Sequence, residues 1–211
     1  MPEPFRIWKR ESEAGRSKPV VLICSHWKGV PFMFSRLIRR LEHHFHVIVV
    51  GYPKNIIAAR TQDTLAHMCR ALEQIEKVIE SRDLHAIIGL SLGSYMASAL
   101  SEYSDRFILI TSSDTFGNFM GHSKKIHASG MIPSDFRRFD PLFKLKNKSL
   151  WLALGKKDIT IPYEDGLRLA KKHPNVHLEE HMGNHNMVLF WYLWGSGVSV
   201  IEKILREEKS F

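Results

Sequence analysis

Gly89-Leu90-Ser91-Leu92-Gly93 is a G-x-S-x-G pattern that lies between two different kinds of predicted element. The apolar run Leu84 to Ile88 before it predicts a buried strand, and the small-residue run Tyr95 to Leu100 after it predicts a helix. A serine on a sharp strand-to-helix turn is pushed out of the edge of the sheet on a strained backbone. The pattern therefore predicts that Ser91 is a nucleophile for acyl transfer.

The pattern is not specific by itself, because chance yields G-x-S-x-G in about one chain in fifteen of this length. A serine at this position is also an ordinary N-cap residue for a helix. A serine hydroxyl is a poor nucleophile, so the chemistry further requires a base, an acid and donors for an oxyanion. The nucleophile hypothesis depends on finding these groups at suitable places in the chain.

The rest of the chain alternates short apolar runs with helical patterns. Strands are predicted at 20–24, 47–50, 84–88, 107–111, 150–154 and 176–180, and helices at 32–41, 61–80, 94–102, 164–172 and 187–206. This alternation predicts an α/β fold, a mostly parallel sheet with helices on both faces. We expect a single domain over residues 1–211.

One segment, about 115–147, breaks this rhythm and is too long for an ordinary connection. It predicts a small cap or lid insertion over the active edge of the sheet, with a plain surface insertion as the alternative. Its apolar residues either line a pocket or pack the insertion onto the sheet: Phe116, Phe119, Met120, Phe136 and Phe139. The last helix has a predicted core stripe of Met187, Trp191, Trp194, Val198, Ile201 and Leu205. Phe190 and Leu193 lie on another face, as a dimer contact or as a wall of the substrate pocket.

Composition narrows the possible classes of protein. The 211 residues carry a formal net charge of +8, but the basic residues are spread along the chain and indicate solvated faces rather than a nucleic-acid site. An anionic substrate remains possible. No apolar run is long enough to span a bilayer, and the N-terminus shows no secretory signal. Cys24 and Cys69 are expected to be reduced, which points to the cytoplasm, and nothing indicates the oligomeric state.

Candidate catalytic groups follow predicted strands, where active sites lie in open α/β sheets. Asp158 follows the strand 150–154 and His185 follows the strand 176–180, so the chain order is Ser, Asp, His. His185 is predicted to take the proton of Ser91, and Asp158 to orient the imidazole. Asp114 is the alternative acid and His181 the alternative base.

Two backbone N–H groups are expected to bind the oxyanion. Leu92 opens the helix after Ser91, so its N–H points towards an anion beside that serine. The second donor is expected in the loop after the strand 20–24, and we choose the N–H of Trp27. No cofactor is implied, and no metal site is expected, because no nearby cysteine or paired carboxylate completes a ligand set with His177, His181 and His185.

These residues together resemble the α/β-hydrolase superfamily over nearly the whole chain. The segment Gly155 to Pro162 matches the family's G-x-x-D before Ile/Val-Pro, and Gly183 to His185 matches its Gly-x-His loop. The family's His-Gly-x-Gly-like oxyanion loop corresponds to Ser25-His26-Trp27-Lys28-Gly29, where Ser25-His26 replaces His-Gly. The first two strands of the family sheet are expected to be reduced to one, around Phe5 to Lys9.

The resemblance implies a compact serine hydrolase with a minimal cap that cleaves small carboxylic esters through an acyl-enzyme. A thioesterase, acyltransferase or peptidase would use the same triad, because this fold carries many reactions. A non-catalytic, hydrolase-like module that binds a small ligand is the alternative outside enzymes. The expected partner is a small acyl substrate, with no nucleic acid and no membrane span.

Overall fold

Seven strands form one sheet in this computed structural model, which describes residues 6–13, 17–58, 61–80, 82–122 and 133–207. The strands are β1 (Trp8–Glu11), β2 (Val20–Cys24), β3 (His46–Gly51), β4 (Leu84–Leu90), β5 (Arg106–Ile110), β6 (Ser149–Gly155) and β7 (Val176–His181). Their spatial order is β1-β3-β2-β4-β5-β6-β7, with β1 antiparallel to β3 and all other neighbours parallel. The predicted strand segments are all present, so the predicted mostly parallel α/β sheet is confirmed.

Eight α-helices and two 3-10 helices connect the strands within the described ranges. The helices are α1 (Ser35–Leu41), α2 (Thr61–Ile79), α3 (Leu92–Ala99), α4 (Phe116–His122), α5 (Pro141–Lys144), α6 (Tyr163–Lys172), α7 (His185–Trp194) and α8 (Gly197–Arg206). The 3-10 helices span Pro31–Phe34 and Pro133–Phe139. The predicted edge strand around Phe5 to Lys9 appears as β1, slightly later in the chain, and residues 1–5 lie outside the described part.

The central strands are buried on both faces, which explains their continuous apolar sequences. In β2, Leu22 and Cys24 face one core together with residues of α2, α3 and α6. The alternate residues Val21 and Ile23 face a second core, with residues of α1, α7 and α8. The register places Leu22 between Ile48 of β3 and Ile87 of β4. Helices therefore cover both faces of the sheet, as predicted.

The predicted single helix over 187–206 is wrong. The structure has two helices, α7 and α8, bent by 65° at a break between them. Gly195 at the break has an extended backbone, and a Cβ on Gly197 would lie 2.3 Å from the ring of Trp191. The close packing of that ring against Gly197 accompanies the change of direction.

In α7 the predicted core stripe is wrong at Met187, whereas Trp191 and Trp194 are half-buried and pack against the second core. Met187 is 62% exposed, whereas Val188, Leu189, Tyr192 and Leu193 are the buried residues of this helix. The helix begins at His185 and not near Met187, and the break removes the register that a continuous helix would have imposed. The predicted residues Val198, Ile201 and Leu205 of α8 do lie in the core. The two residues that were predicted on another face of this helix differ: Leu193 is buried and Phe190 is exposed.

The described parts of the predicted cap pack onto α3. Rings of this insertion surround Tyr95 of α3, with ring centroids of Phe116 and Phe119 at 5.0 and 5.1 Å from that of Tyr95. All five apolar residues named for the insertion are buried: Phe116, Phe119, Met120, Phe136 and Phe139. They therefore pack the insertion onto the domain and do not line an open pocket. The middle of the predicted lid, 123–132, lies outside the described residues, so its position over the active edge stays a prediction.

Within the described ranges, no single helix is long and apolar enough to cross a bilayer. The bent pair α7 and α8 reaches the required length and composition only when the two helices are taken together. Both helices contribute apolar side chains to the second core.

Gly93 permits the closest approach between a helix and the sheet. A Cβ on Gly93 would lie 2.1 Å from the carbonyl oxygen of Cys24 and 2.5 Å from that of Ser25. A Cβ on Gly89 would lie 2.5 Å from the Cα of Ser94. The first turn of α3 thus rests directly on the backbone at the end of β2, which only glycine allows.

We predict that Gly93→Ala lowers the free energy of unfolding by more than about 3 kcal/mol, because backbone atoms cannot give way as a flexible side chain would. Gly117→Ala in α4 is the matched control, since its Cβ would meet only the Thr115 hydroxyl, at 3.9 Å. Urea unfolding followed by circular dichroism measures both variants. Equal effects of the two substitutions would contradict the packing argument.

His173 at the end of α6 gives the stability a pH dependence. Burial lowers the pKa of His173, and the hydrogen bond from Nε2–H to the Leu145 carbonyl offsets this only in part. Nδ1 accepts from the Asn175 N–H at 3.2 Å, a bond that only the neutral ring can accept. The unfolded chain then binds the proton more tightly, so this stability is present above about pH 6.5 and is lost as the pH falls below it. We expect the melting temperature of His173→Gln to fall less steeply than that of the wild type between pH 7.5 and 5. If the melting temperatures of the two proteins fall in parallel over this pH range, the proposed role of His173 is contradicted.

Candidate active site

Ser91 lies on a strained turn between β4 and α3. Its backbone has φ 52° and ψ −117°, a conformation that costs an L-residue about 1–3 kcal/mol. The Ser91 N–H donates to the Ile110 carbonyl of β5 at 2.9 Å, which fixes the turn to the neighbouring strand. The predicted serine on a sharp turn at the carboxyl edge of the sheet is therefore present, and the surrounding residues leave it only 5% exposed.

The structure brings Ser91, His185 and Asp158 into one hydrogen-bonded chain. The Ser91 hydroxyl lies 3.0 Å from Nε2 of His185, and Nδ1 of His185 lies 2.7 Å from Oδ2 of Asp158. A carboxylate only accepts, so Nδ1 carries the proton and Nε2 accepts from the serine hydroxyl. The imidazole is thus held in the tautomer in which it can take a proton from Ser91.

The other carboxylate oxygen of Asp158 is held by the backbone. Oδ1 accepts hydrogen bonds from the N–H groups of Thr160 at 2.8 Å and Ile161 at 2.9 Å. These bonds fix the rotation of the carboxylate, so that Oδ2 points at His185. The side chains of Asp158 and His185 are 2% and 12% exposed, which strengthens the electrostatic interaction between them.

Backbone hydrogen bonds join the loop after β6, which contains Asp158, to the loop after β7, which contains His185. The Lys156 N–H donates to the His181 carbonyl at 2.7 Å, and the Lys157 N–H donates to the Gly183 carbonyl at 3.2 Å. Gly155 permits this contact, because a Cβ there would lie 2.7 Å from the Gly183 oxygen. The loops after β6 and β7 therefore continue the pairing of their strands towards Asp158 and His185.

The alternative acid and base have other partners. Oδ2 of Asp114 accepts from Nε of Arg168 at 3.1 Å, and its Oδ1 accepts from the Asn118 side chain at 2.7 Å. His181 Nε2 lies 2.9 Å from the Tyr192 hydroxyl, and its ring packs on Trp191. The geometry therefore favours Asp158 over Asp114 and His185 over His181.

The loop after β2 lies against the start of α3, beside Leu92. As the first residue of α3, Leu92 has an N–H without an acceptor inside the helix. Two indole N–H groups hold this loop: Trp27 donates to the Lys54 carbonyl, and Trp8 donates to the Gly29 carbonyl, each at 3.0 Å. The contact of Gly93 with the backbone of Ser25 places the loop next to the serine turn. The oxyanion roles of Trp27 and Leu92 stay predictions that this placement supports.

His26 takes part in fixing the oxyanion loop. Its Nδ1–H donates to the Trp27 carbonyl at 2.9 Å, and the Gly29 N–H donates to the His26 carbonyl at 3.1 Å. Burial lowers the pKa of His26, partly offset by the bond to Trp27, and His185 nearby lowers it further. These contacts favour the neutral form of the His26 ring near His185.

Comparison with solved structures assigns the architecture. A hydrolase from Pseudomonas aeruginosa PA01 aligns with a TM-score of 0.69 at 15% identity, over 98% of this chain and 97% of its own. An α/β-hydrolase enzyme from a Medee basin deep-sea metagenome aligns with a TM-score of 0.70 at 9% identity, over 97% and 96%. An esterase from Exiguobacterium antarcticum gives 0.62 at 13% identity, over 98% and 97%. The chain has the α/β-hydrolase fold.

These likenesses show the α/β-hydrolase fold alone, because the identities are low. No family model matches the sequence, and no curated protein does. The resemblance inferred from the motifs is thus confirmed at the level of the fold, and the small chain covers almost the full length of the three compared structures.

The departure from the α/β-hydrolase oxyanion motif is accommodated at one residue. The positive φ in the loop falls on Lys28, at 61°, and not on His26 where the family has glycine. The ammonium group of Lys28 lies 4.4 Å from the centroid of the Trp27 ring, a cation–π contact that favours this conformation. The left-handed residue of the loop is thus Lys28, two residues after His26.

Sequence reasoning missed the groups that hold Asp158 in place. The N–H groups of Thr160 and Ile161 follow Asp158 by two and three residues, as in an Asx turn, and that spacing is a readable signal. The bonds between the β6 and β7 loops leave no mark in side-chain patterns, because backbone atoms form them.

We predict that Asp158→Asn slows the reaction of Ser91 with a fluorophosphonate probe by about 10²–10⁴-fold, because Asn neither fixes the tautomer nor stabilises the imidazolium. Asp114→Asn is the matched control and should react at nearly the wild-type rate. It should instead lower the free energy of unfolding by about 1–3 kcal/mol through loss of the charge partner of Arg168. Slower labelling of Asp114→Asn than of Asp158→Asn would assign the acid to Asp114.

Proposed function

We propose that this protein is a serine hydrolase that cleaves small carboxylic esters through an acyl-enzyme. The observation that carries the proposal is the continuous chain from the strained Ser91 through His185 to the buried Asp158. A structural serine needs neither a base aligned with its hydroxyl nor an acid behind that base. A module that only binds a ligand would have no use for the acid.

The proposed reaction begins with attack by Ser91 Oγ on the carbonyl carbon of the ester. His185 Nε2 takes the hydroxyl proton as the bond forms, and Asp158 stabilises the resulting imidazolium. The N–H groups of Leu92 and Trp27 bind the oxyanion of the tetrahedral intermediate. Collapse of this intermediate expels the alcohol, which receives the proton from His185.

Water completes the cycle by the same route in reverse. His185 removes a proton from water as the water oxygen attacks the acyl carbon of the Ser91 ester. The second tetrahedral intermediate releases the carboxylic acid, and the serine oxygen regains its proton from His185. All the proton transfers use one nitrogen, Nε2, which lies 3.0 Å from the serine oxygen.

Exposed apolar side chains next to the acid and the base favour a substrate with an apolar portion. Ile159 follows Asp158 and is 89% exposed, and Met182 and Met187 flank His185 at 69% and 62%. Lys156 and Lys157 lie exposed in the same loop as Asp158. Because exposed apolar groups at a site mark contacts with a ligand, we propose esters with an aliphatic or aromatic group.

The basic side chains of Lys156 and Lys157 favour a second candidate substrate, an anionic CoA thioester, which the same triad would cleave. The two are separated by measuring turnover of an ester and a CoA thioester that share one acyl group. We expect the ester to be hydrolysed at the higher kcat/KM, since Lys156 is already paired with Glu180, at 3.5 Å. A higher kcat/KM for the thioester would identify the protein as a thioesterase.

We expect Ser91→Ala to lower kcat for a series of p-nitrophenyl esters by about 10⁴-fold or more, since the covalent step is lost. Ser94→Ala is the matched control, because that hydroxyl donates to the Gly89 carbonyl at 3.1 Å. Absence of hydrolysis by the wild type, with no fluorophosphonate adduct, would refute the esterase proposal.

A further inference from the structure

A pocket of about 520 Å³ lies on the face of the sheet that α1, α7 and α8 cover. One side is formed by α1 and the turn that follows it, and the other by the end of α7 and the start of α8. Its lining includes Arg36, Arg39, Arg40, His43, Trp194 and Val198. Three arginines, a histidine and a tryptophan thus line the same pocket.

This pocket is separate from the triad. α7 begins at the catalytic His185 and ends at Trp194 of the pocket, nine residues further on. At 1.5 Å per residue, about 13 Å of helix lies between them. Ser91 and Asp158 are not among the residues that line the pocket. The pocket therefore has no part in the proposed ester hydrolysis, and its ligand is a separate question.

The charges of the pocket are strongly one-sided. Arg36, Arg39, Arg40 and His43 follow the spacing i, i+3, i+4 and i+7, which places them on one face of the helical segment. Like charges at this spacing repel each other and weaken the helix. In the part of the chain that the structure describes, no carboxylate lines the pocket. A bound anion would relieve the repulsion.

The buried carboxylate of Glu202, near the pocket, neutralises the charge of one arginine, Arg40. Glu202 of α8 accepts from Nε of Arg40 at 2.6 Å and lies 3.4 Å from Nε2 of His44. Arg39 uses its Nε for the Ser35 carbonyl, at 3.3 Å, so this contact does not involve its two terminal nitrogens. These contacts fix the side chains of Arg39 and Arg40 at the pocket. Because Glu202 pairs with only one of the three arginines, the pocket keeps an excess of positive charge.

The size and the second wall of the pocket define the ligand class. Cavities of 300–1,000 Å³ hold small organic ligands, and a lone phosphate ion would fill only a small part of this one. Trp194 and Val198 supply an apolar surface on which a planar ring can stack. Guanidinium groups bind phosphate oxygens through paired N–H donors.

We propose that this pocket binds a phosphate ester that carries a planar or apolar group, with Arg36 and Arg39 on the phosphate and Trp194 against the other group. Such a phosphate comes either from a soluble nucleoside phosphate or from a phospholipid headgroup. Both have the same chemistry towards the arginines, and experiment separates the two sources.

The test measures binding to the full-length protein with two kinds of probe. Isothermal titration calorimetry with ATP, tripolyphosphate and adenosine reports on a soluble ligand and separates the contributions of phosphate and ring. Sedimentation with phosphatidylcholine vesicles, with and without phosphatidic acid, reports on a headgroup. We expect ATP to bind more tightly than tripolyphosphate or adenosine, and its affinity to fall as salt is added.

The double variant Arg36→Gln/Arg39→Gln should weaken ATP binding at least tenfold. Its matched control is Lys171→Gln/Lys172→Gln, which removes the same charge from the exposed end of α6 and should change binding by less than twofold. Binding only to phosphatidic acid vesicles, lost in the arginine variant alone, would support the site with a lipid as its source. Absence of binding to every phosphate probe, or equal weakening by both double variants, would overturn the proposal.

Discussion

The contact between Gly93 and the carbonyl groups at the end of β2 is the constraint on which the site depends. It lets α3 start directly against the central strand of the sheet, so the chain must turn sharply at Ser91. The strained φ of 52° follows from this approach and is held by the hydrogen bond to β5. The same contact places the loop after β2 beside Leu92, which brings the expected oxyanion donors to one place. Close packing at one residue thus orients the serine and the loop together.

A second constraint operates at the other side of the site. The backbone bonds between the β6 and β7 loops bring Asp158 to His185, and two more N–H groups fix the carboxylate. Both constraints use backbone atoms at the carboxyl ends of neighbouring strands, where a parallel sheet leaves them unpaired. The fold therefore brings Ser91, Asp158 and His185 together, and the hydrogen bonds among their side chains complete the arrangement.

The strands and the residues proposed as the triad could be predicted from the sequence because each carries a local signal. Central strands buried on both faces are continuous apolar runs, and Ser91, Asp158 and His185 follow such runs in order. The choice between Asp158 and Asp114 stayed open, because both follow strands. It depends on Arg168, which is distant in sequence from Asp114 but pairs with it in the fold.

Other features depend on contacts that periodicity does not report. The break after α7 depends on the ring of Trp191 against Gly197, so the apolar pattern 187–206 was misread as one helix. The basic residues of α1 were interpreted as a solvated face, because the sequence does not reveal that Trp194 lies opposite them. In both cases the deciding partner belongs to another element.

The central claim is that Ser91 forms a covalent acyl intermediate, and trapping that intermediate tests it most directly. The protein is mixed with an ester whose acyl-enzyme hydrolyses slowly, quenched in acid, digested and analysed by mass spectrometry. The account predicts one acyl group on the peptide that contains Ser91, and none when that residue is alanine. Ester hydrolysis with no acyl adduct, or an adduct on another residue, would contradict it.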